Sequence, residues 1–175
     1  MRLLLVLVAV AVIAWYLSYT AARLDRLHAR VEGARAALEV QLLRRSSVAL
    51  ELATSALLDP ATSLLLATAA HDARAAAEED REPAESDLSR ALRAALPDAE
   101  TVAELNADPG GAELVAELQA AAQRVTLARR FLGDAVRATL SVRRLRVVRY
   151  LRLAGHADAP VTFELDDEPP PPFVR

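Results

Sequence analysis

Fifteen consecutive apolar residues, LLLVLVAVAVIAWYL from Leu3 to Leu17, stand near the start of the chain, and the uncharged stretch continues through Ala22 before Arg23. Twenty such residues in a helix cover about 30 Å, the thickness of a bilayer's hydrocarbon core. Trp15, Tyr16 and Tyr19 gather at one end of the run, where amphipathic rings favour the membrane interface. The competing reading is a cleavable signal peptide, with Arg2 as a minimal basic region and Ala21 or Ala22 at the cleavage site. Tyr19 is bulky where cleavage after Ala21 wants a small residue, and the helical pattern runs past the site without Gly or Pro. The reading therefore favours a retained anchor over residues 1–22.

The flanks orient that anchor. Arg2 is alone before it, whereas Arg23, Arg26, Arg30 and Arg35 follow within the distance over which basic residues mark the cytoplasmic side, with Asp25 and Glu32 interleaved. A single-pass protein of the cell membrane with most of its chain in the cytoplasm is the expectation. Electrostatics adds little, because 21 basic residues, all arginine, face 24 acidic ones for a net charge of −3. No bulk attraction to nucleic acid follows. The absence of cysteine removes disulfides, thiolate metal sites and a cysteine nucleophile together.

Beyond Arg23 the chain reads as all-α. A helix is expected from Arg23 to Leu58, and Pro60 after Asp59 opens the next one as a first-turn proline with an aspartate cap. That second helix, TSLLLATAAHDARAAAEED, ends near Pro83. A third, ESDLSRALRAAL, stops at Pro97, a short piece DAETVAELN follows, and after ADPGG a last helix is expected from Gly111 to Leu153. Two seams at alternating spacings of three and four point to antiparallel packing in a long-helix bundle: Leu24, Leu27, Val31, Ala34, Leu38, Gln41, Arg45, Val48 and Leu52 on the first helix, and Leu114, Leu118, Ala121, Val125, Ala128, Leu132, Ala135, Thr139 and Val142 on the last. The expected domains are the anchor at 1–22, the bundle at 23–155 and an extended, acidic, proline-rich tail at 156–175, mostly disordered after Phe163.

Arg45 falls on the first seam, and its neighbour Arg44 lies about 100° around the helix. A seam arginine either pairs with an acid or carbonyls on another helix or snorkels outward along its stem, and the sequence leaves both open. A second basic feature is SVRRLRVVRYLR, which places Arg143, Arg144, Arg146, Arg149 and Arg152 within ten residues. If the middle helices run down and up, the last helix descends toward the bilayer, bringing Arg143, Arg144 and Arg146 near Arg23 and Arg26. These five are the candidate membrane-surface contacts, each worth about 1 kcal/mol near an anionic leaflet, against the plainer reading of a solvated, salt-bridged face.

Catalytic constellations are missing from the sequence. With no lysine there is no phosphate-binding loop of the Gly-rich, Lys-containing kind. His28, His71 and His156 stand singly, and the acids of DREPAESD read as a solvated turn. No catalytic, cofactor-binding or metal residues and no cofactor are expected.

The arginine pair followed by Ser46, Ser47 and Val48, and ARRFLGDAV from Ala128 to Val136, resemble the LemA family of bacterial membrane-anchored helical bundles. The order of features is similar over most of the chain: one N-terminal span, a long helix with Arg44 and Arg45, the segment HDARAAA, a long final helix and the apolar close VTFEL. The chain is identified as a divergent, actinobacterial-type member. Where the family usually holds Asp and an Ile-Pro-Asn stretch it has Ser47 and ALEL, and where the family has Tyr-Asn it has Leu132 and Gly133. The resemblance implies a membrane-tethered component that binds or organises other proteins at the bacterial envelope, without enzyme activity. Membrane lipid and an envelope protein are the expected partners, nucleic acid is not, and a second copy of the chain is an allowed one. The alternative is an oligomeric coiled-coil stalk or envelope component on the outer side of the membrane.

Overall fold

A computed structural model describes residues 1–145, 148, 150 and 158–174. Among these residues run five helices of stated extent: α1 (Arg2–Thr54), α2 (Pro60–Ala75), α3 (Arg81–Ala95), α4 (Ala99–Asn106) and α5 (Pro109–Arg143), with short 3-10 turns at Glu78–Asp80 and Pro171–Phe173. No strand occurs among the described residues. The chain divides into two compact units, Met1–Arg35 with Phe131–Thr162, and Ala36–Arg130 with Phe163–Arg175.

The first unit carries the apolar run. α1 starts at Arg2 and passes from that run into the seam without a break. Leu3, Val10 and Trp15 are 77%, 59% and 70% exposed, and the other large apolar side chains from Leu4 to Tyr19, Leu17 excepted, are exposed as well. A surface this apolar is unstable in water, and α1 is long and apolar enough here to cross a membrane. Trp15 and Tyr19, one turn apart, stack with ring centroids 6.1 Å apart. Burial begins at Thr20, whose hydroxyl donates to the Tyr16 carbonyl. Leu24 then packs with Val142 and Val148, and Thr139 Oγ1 donates to the Leu27 carbonyl, so α1 and α5 run antiparallel.

The sequence reading extends α5 to Leu153, but α5 ends at Arg143 and the chain turns at Arg144 and Leu145; Val148 and Tyr150 are helical again, and the remaining residues of 146–153 lie outside the described ones. The reason is packing. Val142 and Val148 are both buried against Leu24, yet six residues along a straight helix turn the side chain by about 240°, away from that face. A bend lets both reach it, and the amide of Leu145 closes it by donating to the Val142 carbonyl.

In the second unit α1, α2, α3 and α5 surround one core built from Val48, Leu52, Leu66, Leu88, Leu92 and Leu118 together with Leu105 of α4. Arg74 of α2 reaches Ser47, while Arg81 and Glu85 of α3 reach Glu39 and Arg45, so α2 runs against α1 and α3 runs with it. Asp59 caps α2 by accepting from the amides of Ala61 and Thr62, with Pro60 in the first turn. The same device opens α5, where Asp108 accepts from the Gly111 amide and Pro109 is the first helical residue. ADPGG is thus a helix start rather than an interruption. Gly111 is needed there, because a Cβ would lie 2.2 Å from the Leu105 carbonyl oxygen. Likewise Pro83 sits in the first turn of α3, which begins at Arg81 and not after the proline.

The tail departs most from expectation. From Asp158 it is extended and non-helical up to Pro171, but Phe163–Arg175 belongs to the second unit, and residues 163–174 lie against it. Leu165, Pro170 and Phe173 are buried, Phe173 within the main core. Acidic, proline-rich composition predicts disorder only when such a segment finds nothing to bury, and these three side chains do.

Candidate functional site: a buried arginine pair and a clamped acidic tail

α1 delivers Arg45 and α3 delivers Glu85 to the middle of the second unit because each sits on its helix's apolar row. Arg45 Nη2 donates to Glu85 Oε2 at 2.6 Å and to the Glu85 carbonyl at 3.0 Å, and Nη1 donates to Ser89 Oγ at 3.0 Å. The two side chains are 4% and 1% exposed. Burial pushes the Glu85 carboxyl above its ordinary range, with the Arg45 charge and hydrogen bond, and more weakly the charge of Arg81, opposing that rise. Arg45 Nε and Arg81 Nη1 are buried without a hydrogen-bond partner among the described residues. Arg44 points elsewhere, half exposed and paired with Glu117 of α5.

A second ionic system holds the tail in the groove between α3 and α5. The Glu164 amide donates to Glu82 Oε1 at 3.0 Å, the Asp166 amide donates to Ser86 Oγ at 3.1 Å, and Arg93 donates to both Asp166 oxygens and to the Glu168 carbonyl. From α5, Arg129 makes a bidentate contact with Asp167 through Nε and Nη2, both at 3.0 Å. The hydrogen bond from Arg93 holds the Asp166 carboxyl below its ordinary range, and the same contact raises the Arg93 guanidinium. Beside the seated tail a cleft of about 520 Å³ remains, lined in part by Gln119, Gln123, Leu127 and Arg130.

The acids of DREPAESD are therefore not all a solvated turn. Glu85 is a core residue and Glu82 holds the tail's backbone, although Asp87 and Arg90 form an exposed pair one turn apart on α3. The signal was present: Glu85 falls on the row Leu88, Leu92 and Ala95, as Arg45 falls on its own seam, so opposite charges stand on two facing apolar rows. Nothing comparable announced the tail's grip, since Arg93 and Arg129 read as ordinary surface residues until the groove is formed.

The candidate membrane contacts are placed differently from one another. Arg23, Arg26 and Arg144 are exposed. Arg143 is half-buried, its Nη1 2.8 Å from the Asp158 carbonyl and 3.2 Å from His28 Nε2, so the end of α5 is tied to α1 one turn beyond Leu24. Arg146 and His156 lie outside the described residues, as do Arg149 and Arg152. Among the described residues no group of three His, Asp or Glu side chains is arranged to hold a metal ion. The chain matches no family model, no curated protein and no solved structure.

Proposed function

We propose that this chain is a membrane-tethered binding module: α1 stays in the bilayer through residues 3–22, and the helices beyond it present a docking surface to other envelope proteins on the cytoplasmic side, in the manner of the LemA family it resembles. One observation carries the reading. The exposed apolar run continues without a break into the first bundle helix, both being parts of α1. The basic flank at Arg23, Arg26, Arg30 and Arg35 supports the cytoplasmic side. Burial of the seam residues Leu38, Val48 and Leu52 within the second unit, and of Leu132, Ala135 and Val142 within the first, supports a bundle satisfied by its own chain over a stalk that needs partners along its seam.

A reporter active only outside the cytoplasm, fused after Arg175, should stay silent, and the mature protein should begin at its own N-terminus. An active reporter, or a chain starting near Ala22, overturns the anchor or its orientation. Contact with anionic lipid is tested by replacing Arg143, Arg144 and Arg146 together with Gln, against a control replacing Arg74, Arg90 and Arg124. Only the first set should weaken salt-sensitive vesicle binding, since Gln is nearly as good a helix former as Arg. Equal losses would assign the effect to total charge rather than to this end of α5.

A further inference from the structure

The tail in the α3 and α5 groove is bound as a peptide ligand is bound. It runs extended alongside α3, its backbone amides at Glu164 and Asp166 are received by the side chains of Glu82 and Ser86, and its adjacent carboxylates are taken by Arg93 and Arg129. Seven residues beyond Asp166 an aromatic ring, Phe173, is 7% exposed. Between these anchors stand Pro169 to Pro172. Proline fixes φ in the free chain as in the docked one, so docking this run loses less conformational entropy than docking other residues would. Such an arrangement, an aromatic anchor in a pocket, charge-paired side chains and a pre-ordered backbone, is a recognition mode that does not depend on the ligand belonging to the same chain.

The tail also fills its groove incompletely. The cleft beside it is bordered by Leu127, 51% exposed, and by exposed Arg130, which makes no ion pair among the described residues. An apolar side chain and a further carboxylate would both find contacts there that the tail does not make. The ion pairs that hold the tail are partly open to solvent, with Arg93 22% and Asp166 36% exposed, so salt and competing carboxylates reach them.

We propose that this groove is a docking site for an extended acidic segment of another protein, one with adjacent carboxylates and an aromatic residue about seven positions on, and that the chain's own tail is the resident competitor that occupies the site until such a partner displaces it. Tethering gives the tail a millimolar-range effective concentration, so the partner gains the site through the extra contacts at Leu127 and Arg130. This deepens the binding-module reading and rests on it for the class of partner, but not on the membrane orientation.

The test uses the full chain in detergent and a fluorescent peptide of sequence FELDDEPPPPFVR, residues 163–175, as the probe. Asp166→Asn with Asp167→Asn weakens the resident tail without touching the groove, and should tighten binding of the added peptide at least about tenfold relative to the unaltered chain. Adding Arg93→Gln and Arg129→Gln to that variant should abolish the gain. The proposal is overturned if the Asn variant keeps its helicity and gains nothing, if a scrambled peptide gains equally, or if mixed cross-linking shows the tail seated in a second copy. Should the Asn variant unfold, hydrogen exchange on the unaltered chain decides: tail amides exchanging at least about tenfold faster than those of α3 support a displaceable ligand, and equal protection overturns it. Topology and vesicle binding can both hold while this result fails, so the two readings fall separately.

Discussion

Arg45 and Arg93 each hold a carboxylate within the same unit, yet Arg45 and Glu85 are 4% and 1% exposed while Arg93 and Asp166 are 22% and 36%. The chemistry is shared and the surroundings are opposite. In the first case both charges have left water, so each partner is the other's replacement for solvent, and losing one strands the other. In the second, water and ions compete at every contact, and the pair contributes orientation more than energy. One ionic attachment therefore fixes how α1 and α3 sit on each other, and the other holds a segment that can be let go.

The largest effect that would break this contrast is at Arg45. Replacing it with Ala leaves Glu85 buried without its partner and should cost about 3–5 kcal/mol, read as a lowered urea midpoint. Arg44→Ala, one residue away but half exposed against Glu117, should cost under about 1 kcal/mol. Because a buried pair is costly to desolvate even when complete, Arg45→Met combined with Glu85→Leu should recover most of the loss. Similar small losses for Arg45→Ala and Arg44→Ala would mean that the interior pair is no more than surface charge.

Phe173→Ala comes next. A core Phe lost from a fixed element costs about 3–5 kcal/mol, and a ring carried on a releasable tail should cost less than that range, because the loss cannot exceed what docking the tail contributes. Hydrogen exchange should rise at Glu164 and Asp166 while α5 keeps its protection. Uniformly raised exchange throughout the second unit would make the tail part of the core after all.

What the sequence made legible follows the same division. Helices with strong periodicity, the aspartate and proline start of α2, and the two seams could be read because they depend on neighbours in sequence. The fate of Arg45 was open, since choosing between pairing and snorkelling needs to know which residue faces it, and Glu85 is 40 positions away. The tail differs from its expected disorder for the same reason: its composition describes how it behaves alone, whereas Leu165, Pro170 and Phe173 are buried by a groove that exists only after α3 and α5 have come together. The end of α5 failed on a third count, because periodicity cannot anticipate that Val148 turns back onto Leu24.

The smallest effect sharpens the comparison most, because the two sites should respond to pH with opposite signs. Glu85 is held above its usual 4.5 by burial. As pH rises past 4.5 the unfolded chain releases this proton first, so the folded state binds more protons and stability falls until the folded carboxyl has also ionised. Asp166 is held below its usual 3.8 by Arg93. Its contribution is complete above 3.8 and is lost as pH falls through the folded value, where the unfolded chain takes up the proton first. Carboxyl carbon NMR should therefore place the Glu85 midpoint above 4.5 and that of Asp166 below 3.8. In thermal melts Asp166→Asn should remove part of the acid-side loss, and Glu85→Gln part of the decline above pH 4.5. Midpoints displaced in the same direction would show that the two carboxylates share one environment, and the distinction between a core pair and a releasable clamp would not stand.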